Sequence, residues 1–385
     1  MTLQATRSVF MRGGTSKALM FRAADLPADT AARNALFLAA MGSPDPSMRQ
    51  LDGMGGGVSS LSKVCIVGPP SRPDADVDYT FAQIEIDRPE VDYAGNCGNM
   101  SSAIGPFAVD EGLVPTPPDG EAVVRIHNTN TSKIIVARFP VQAGRAVVAG
   151  DLALDGVAGT GAPIRLDFTD PGGSKTGKLL PSGNAIDLLE IPGHAPIRAS
   201  LVDAANPCVF IAAADLGLQG HELPTALEQD KPLLEMLEAL RRAASVRMGL
   251  APSLEAAARI TSIPKLGLLA APMETTLLSG RTLAADQADI VARMISVGQP
   301  HRAIPLTGAL CLAVACRIPG SLANTLARPS DPTAAIRIAH PSGSIMVAAE
   351  IRLDPSGPNL TVPHATVFRT ARRLFQGEVL WLPRS

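Results

Sequence analysis

Short apolar runs separated by Pro, Gly and Asp turns recur along this chain, and they restrict it to a sheet-rich fold with few long helices. Residues 63–67, 79–87, 122–128, 133–139, 146–149, 208–213, 344–353 and 361–369 each read as a strand. Helical periodicity is clearest at 31–41, 102–111, 231–248 and 308–315. The punctuation comes from 34 Gly and 33 Pro, and with aromatics at only 3% the core must be Ala, Val, Leu and Ile. Segment 231–248 carries Leu233, Leu234, Leu237 and Leu240 on one face, and Glu235, Glu238, Arg241 and Arg242 elsewhere. That pattern predicts an amphipathic surface helix.

The features also recur in order, as two distant copies of one plan. The first half runs from Met11-Arg12-Gly13-Gly14-Thr15-Ser16-Lys17, through Ser62-Lys63-Val64-Cys65-Ile66-Val67, to a Gly/Asn turn at Cys97 and an apolar helix. The second runs from Asp203-Ala204-Ala205-Asn206-Pro207-Cys208, through Ile263-Pro264-Lys265-Leu266-Gly267-Leu268, to Leu306-Thr307-Gly308-Ala309-Leu310 and its helix. Such a repeat predicts two similar lobes whose helix N-termini face one cleft. Two positive helix ends there would suit a di- or tricarboxylate.

Composition excludes several classes. At 385 residues two domains are the default, and 46% hydrophobic against 18% charged residues supplies ample core. A net charge of −2 and the lack of a basic, aromatic-bearing stripe argue against a nucleic-acid partner. No apolar run reaches the length of a membrane span or a signal segment, so no membrane partner is expected. Five cysteines without paired spacing point to a reducing, cytoplasmic setting, and six scattered histidines form no metal-binding pattern. No dinucleotide or phosphate-loop motif is present: Gly55-Gly56-Gly57 is followed by no Gly-Lys-Ser/Thr.

The densest chemical signal is Gly95-Asn96-Cys97-Gly98-Asn99-Met100-Ser101-Ser102, a turn that delivers a thiol to the first turn of a buried helix. Unpaired N–H groups and the helix dipole at that place favour a thiolate and hold an anion, although a cysteine beside a turn can also be plain filling. Lys63 opens an apolar strand. It is either a strand-end lysine reaching solvent or a partly buried amine whose pKa is depressed enough to act as a base.

These segments, with Met41-Gly42-Ser43-Pro44-Asp45, Asp52-Gly53-Met54-Gly55-Gly56-Gly57, Asn206-Pro207, His301-Arg302-Ala303, Thr307-Gly308-Ala309 and His340-Pro341-Ser342-Gly343, resemble the PrpF family over nearly the whole chain. That family contains isomerases and tautomerases of aconitate, methylaconitate, methylitaconate and 4-oxalomesaconate. The resemblance implies an α+β, diaminopimelate-epimerase-like fold: two pseudo-symmetric lobes, each a mainly antiparallel barrel-like sheet around a central helix, with the active site between them. It implies no metal, nicotinamide or pyridoxal cofactor. We place the lobes at 1–182, completed by 368–385, and at 183–367. Ala18 stands where family members usually have Gly, and the second-lobe helix start, Thr307-Gly308, bears no thiol. The second departure speaks against a two-thiol racemase.

The expected reaction is a cofactor-independent 1,3-proton shift that moves a C=C bond within an unsaturated polycarboxylate, with Lys63 and Cys97 handling the proton. Thr15, Ser16, Lys17, Ser59, Ser60 and Ser62 are candidates for holding carboxylates, and Arg12 is either a carboxylate clamp or the partner of an internal Asp. Asn96, Gly98, Asn99 and Met100 shape the turn and its donors. His301, Thr307, Gly308, Ser342 and Gly343 are the second-lobe candidates. A homodimer is the expected assembly. The competing readings are an epimerase of the same fold and a non-catalytic accessory of a dehydratase.

Overall fold

The computed structural model describes residues 2–329, 331, 334–353 and 360–383. Its chain divides into two compact units, Met1–Asp167 with Phe368–Ser385, and Phe168–Val367. The expectation put the boundary at 182/183. The difference lies in the loop after residue 170, which is tied to the second unit: Gly173 N–H donates to the Asp203 carbonyl at 2.8 Å, and Thr176 Oγ1 to the Asp203 carboxylate at 2.9 Å.

In the first unit β1 (Gln4–Gly13) and β2 (Ser16–Arg22) form a hairpin that turns at Gly14 and Thr15. After α1 (Thr30–Met41), β3 (Lys63–Gly68) pairs parallel with β2 and antiparallel with β4 (Val77–Ile84). Strand Gly120–Asn128 then runs parallel to β4 and antiparallel to Lys133–Gln142. The C-terminal strand Ala371–Trp381 returns to pair with β1 along its length. Between β4 and Gly120–Asn128 comes α2 (Gly98–Asp110), buried on every side from Gly98 to Val109. Its small and apolar residues have no polar face to show to water, so burial is the stable outcome.

The second unit repeats this order. Hairpin Ile197–Ala204/Asn206–Ala212 is followed by Lys265–Ala270, parallel to the hairpin's second strand and antiparallel to Ile290–Ser296. Ile336–His340 then pairs parallel with Ile290–Ser296 and antiparallel with Gly343–Ala349. Helix Leu306–Arg317, buried from Leu306 to Cys316, stands where α2 stands in the first unit. The sequence repeat is a repeat of strand pairing.

Several predicted elements end elsewhere. The strand expected at 146–149 is only Arg145–Ala146, and that at 79–87 ends at Ile84, before a turn in which Glu85 N–H meets the Glu90 carbonyl. The run 361–369 is interrupted at Pro363, which has no N–H for a ladder. The run 344–353 stops at Ala349 and resumes at Arg352. Helix Lys231–Arg247 buries Leu233, Leu237 and Leu240, but Arg241 is also buried. Its guanidinium donates to the carbonyls of Ala257, Ile260 and Ile263 and to Glu238, which periodicity could not anticipate.

Packing around α2 leaves little room. A Cβ on Gly105 would sit 2.6 Å from the Phe139 ring and 3.2 Å from the Ala137 methyl. Gly105→Ala is expected to destabilise the protein, because overpacking costs about 1–3 kcal/mol and the better helix propensity of Ala returns at most about 1. Thermal melting of the variant below the wild type checks this.

Candidate active site

The candidate site of the first unit is built on three neighbours: the β1–β2 turn, the start of β3 and the start of α2. Lys63 is the first residue of β3, flanked by β2 and β4, and is only 6% exposed. Its Nζ lies 2.7 Å from Gln83 Oε1 and 5.0 Å from the centre of the Phe81 ring. Gln83 faces it from β4, its own amide held by the carbonyls of Ser59 (3.1 Å) and Ser62 (2.8 Å). With both amide hydrogens engaged, Oε1 must point at the lysine. Burial pulls the Lys63 pKa below the ordinary lysine value, and nearby Cys97 and Cys65 oppose that shift.

Cys97 is the N-cap of α2, with extended φ −117° and ψ 94° and no side-chain capping bond. Its Sγ is 4.0 Å from Ser16 Oγ, and its carbonyl accepts from Tyr79 Oη at 3.3 Å and from Ser101 N–H at 3.1 Å. Cys65, deeper on β3, is of another kind: burial pushes its thiol pKa up, which leaves it inert.

The remaining first-unit candidates separate into two groups. Thr15, Ser16 and Asn99 lie together: Asn99 Nδ2 donates to Thr15 Oγ1 at 3.1 Å, next to the Ser16–Cys97 contact. Among the described residues Arg12 is not the partner of an Asp. It donates to the carbonyls of Gly14 (2.9 Å) and Thr370 (3.0 Å) and so braces the turn. Ser62 Oγ donates to the Ile84 carbonyl and accepts from Gln50, so its hydroxyl is part of the core. The Ser59 and Ser60 carbonyls accept from Gln83 and from Lys17 N–H, and the Lys17 ammonium lies 5.5 Å above the Phe10 ring. Asn96 accepts from Asn128 at 2.8 Å. Met100 is fully buried with its sulfur against Gly13, so its side chain packs in the core.

In the second unit Thr307 and Gly308 form the buried first turn of helix Leu306–Arg317, with Gly308 packed against Met294. His301 N–H bonds the Met294 carbonyl. Ser342 Oγ is 2.6 Å from the Arg302 carbonyl, and Gly343 closes the turn to His340. Asn206, not among the candidates read from the sequence, stands out here. It is wholly buried, and neither amide atom has a hydrogen-bond partner among the described residues. A buried amide without partners is costly, which marks the position as one to be explained. Only its place beside the hairpin turn, the counterpart of Ser16, could have marked it. Gln83 and Arg369 were also missed, since their roles depend on cross-strand register and on a contact made 270 residues apart.

One arrangement is excluded by geometry. Ser71 Oγ and Asp78 Oδ1 both meet Nδ1 of His127, at 3.2 and 2.9 Å, so they cannot relay a proton through opposite ring nitrogens as a nucleophile triad requires.

The chain is 40% identical over 373 residues to a 3-methylitaconate isomerase of Eubacterium barkeri, covering 96% of each. It is 41% identical over 372 residues to a (4E)-oxalomesaconate Delta-isomerase of Novosphingobium sp., again covering 96% of each. The crystal structure of a methylitaconate-delta-isomerase superposes with a TM-score of 0.77 at 38% identity, over 99% of this chain and 96% of that one. The fold and the relatives thus define an isomerase with a diaminopimelate-epimerase-like, mixed α+β architecture. The PrpF protein family model matches residues 3–382, and the chain belongs to that family.

Proposed function

We propose that this isomerase moves a C=C bond within an unsaturated di- or tricarboxylate of the aconitate, methylaconitate, methylitaconate or oxalomesaconate type, and that Lys63 and Cys97 handle the proton. The observation that carries the reading is a buried lysine with a depressed pKa close to a thiol at a helix N-terminus. The neutral Lys63 amine takes the allylic proton beside a carboxylate, and the C–H electron pair spreads into a dienolate. The Cys97 thiol gives a proton to the carbon two positions away, and the double bond shifts. The ammonium then returns its proton to the thiolate. No electrons are gained or lost overall. Thr15, Ser16 and the first N–H groups of α2 would face the carboxylate on which charge develops. For assembly we propose a homodimer, and for compartment the cytoplasm, with all five cysteines as free thiols. No described helix is long and apolar enough to cross a membrane.

The test is proton NMR of the purified protein in D2O with cis- and trans-aconitate, 2-methylaconitate, methylitaconate and 4-oxalomesaconate in turn. Deuterium entering the allylic position as the double bond migrates is the expected result and identifies the substrate. Binding of these acids without exchange would sink the catalytic reading.

A further inference from the structure

Arg369 is 6% exposed, and no carboxylate lies within ion-pair distance of it among the described residues. Burial lowers its pKa to about 9, so it keeps its charge at neutral pH. A buried, unpaired cation is expensive. Its Nη1 donates to the adjoining Phe368 carbonyl at 3.0 Å, and its Nε donates to Asn99 Oδ1 at 3.3 Å. The space for that contact exists because residue 14 is glycine. A Cβ there would stand 2.3 Å from Asn99 Oδ1 and 3.2 Å from Arg369 Cδ, and φ of Gly14 is +51°.

The contact decides which way the Asn99 amide faces. An arginine can only donate, so it takes the oxygen. The Nδ2 of Asn99 must then donate to Thr15 Oγ1, 3.1 Å away. Thr15 therefore spends a lone pair on Asn99, and its O–H is directed elsewhere; Thr15 is part-exposed on the turn beside Ser16 and Cys97.

We propose that Arg369 is a positioning residue that fixes the hydrogen-bond polarity of the turn, so that the Thr15 hydroxyl donates to a substrate carboxylate. The inference rests on the reading of the first-unit site as a polycarboxylate site. Arg369 acts through Asn99 and need not touch the substrate. Without it the amide can turn over, its oxygen can accept from Thr15, and the hydroxyl is lost to the ligand. Removal of a buried charge with no counterion is not expected to lower the melting temperature by more than a few degrees.

The experiment is a double-mutant cycle read by calorimetric binding of tricarballylate, a saturated tricarboxylate that cannot be isomerised, with turnover measured separately. Thr15→Val and Arg369→Met are each expected to weaken binding about tenfold, and the double variant by about tenfold again relative to wild type, not a hundredfold. Arg369→Lys, which can still donate to Oδ1, should stay within about threefold of wild type. Independent, multiplying losses, or wild-type affinity in Arg369→Met, would overturn the proposal. Should Arg369→Met fail to fold, Asn99→Ala replaces it in the cycle, with the same non-additivity expected. Coupled binding without turnover would reject the isomerase reading alone. No binding by the wild type would reject both.

Discussion

Lys63→Met is expected to lower kcat/KM by about a thousandfold or more while leaving a folded protein. General-base catalysis is typically worth 10²–10⁴, and no other described amine sits at the start of β3 against Gln83 and Phe81. The stability side has two opposing parts. The variant leaves Gln83 Oε1 unpaired, a cost of about 1–3 kcal/mol. It also removes a group whose folded-state pKa lies below its unfolded value. Such a group destabilises the fold most at pH below its folded pKa, and the penalty fades as pH rises toward 10.5, the ordinary lysine value. The melting temperature at neutral pH should therefore fall only a few degrees. The same depression sets the sign of the wild-type rate profile: kcat/KM rises with pH as the amine loses its proton, through a pKa below 10.5. Near-wild-type proton exchange by Lys63→Met, or a rate that falls as pH rises through that range, would remove Lys63 from the chemistry.

Cys97→Ser is expected to move activity and stability in opposite directions. The backbone of residue 97 is in the extended conformation of an N-cap, and the thiol makes no capping bond. Serine is among the best N-cap residues, and a hydroxyl there is worth about 1 kcal/mol, so the variant should melt slightly higher than wild type. The hydroxyl is a far weaker acid than a thiol, and the second proton transfer should slow by about a hundredfold or more. A cysteine kept only for packing would show the gain in stability and no loss of rate. Equal kcat in the variant and the wild type, measured by the D2O exchange assay, would assign Cys97 that structural role.

The parts of the site read from the sequence are those carried by local pattern. The Gly/Asn turn before an apolar helix placed Cys97 at a helix start, and α2 begins at Gly98. Lys63 ahead of Val64-Cys65-Ile66-Val67 was visible as the first residue of an apolar strand, and the structure buries it. Side-chain partners were not visible. Ser62 and Arg12 have the right chemistry for a carboxylate, but one is held by Gln50 and Ile84 and the other by the Gly14 and Thr370 carbonyls. Met100 follows the turn by helical spacing, which does not say which side faces Gly13.

The sequence by itself determined the sheet-rich class, the duplicated order of hairpin, lysine-led strand and buried helix, and the thiol and amine proposed to handle the proton. Those are properties of turn chemistry, periodicity and residue type, and they need no knowledge of distant contacts. Tertiary structure decided which polar groups are free. Gln83 faces Lys63 through cross-strand register, Arg369 reaches Asn99 from the far end of the chain, and Asn206 is left buried without a partner among the described residues. Hydrogen bonds pair groups that meet in space, so their bookkeeping exists only once the chain is folded.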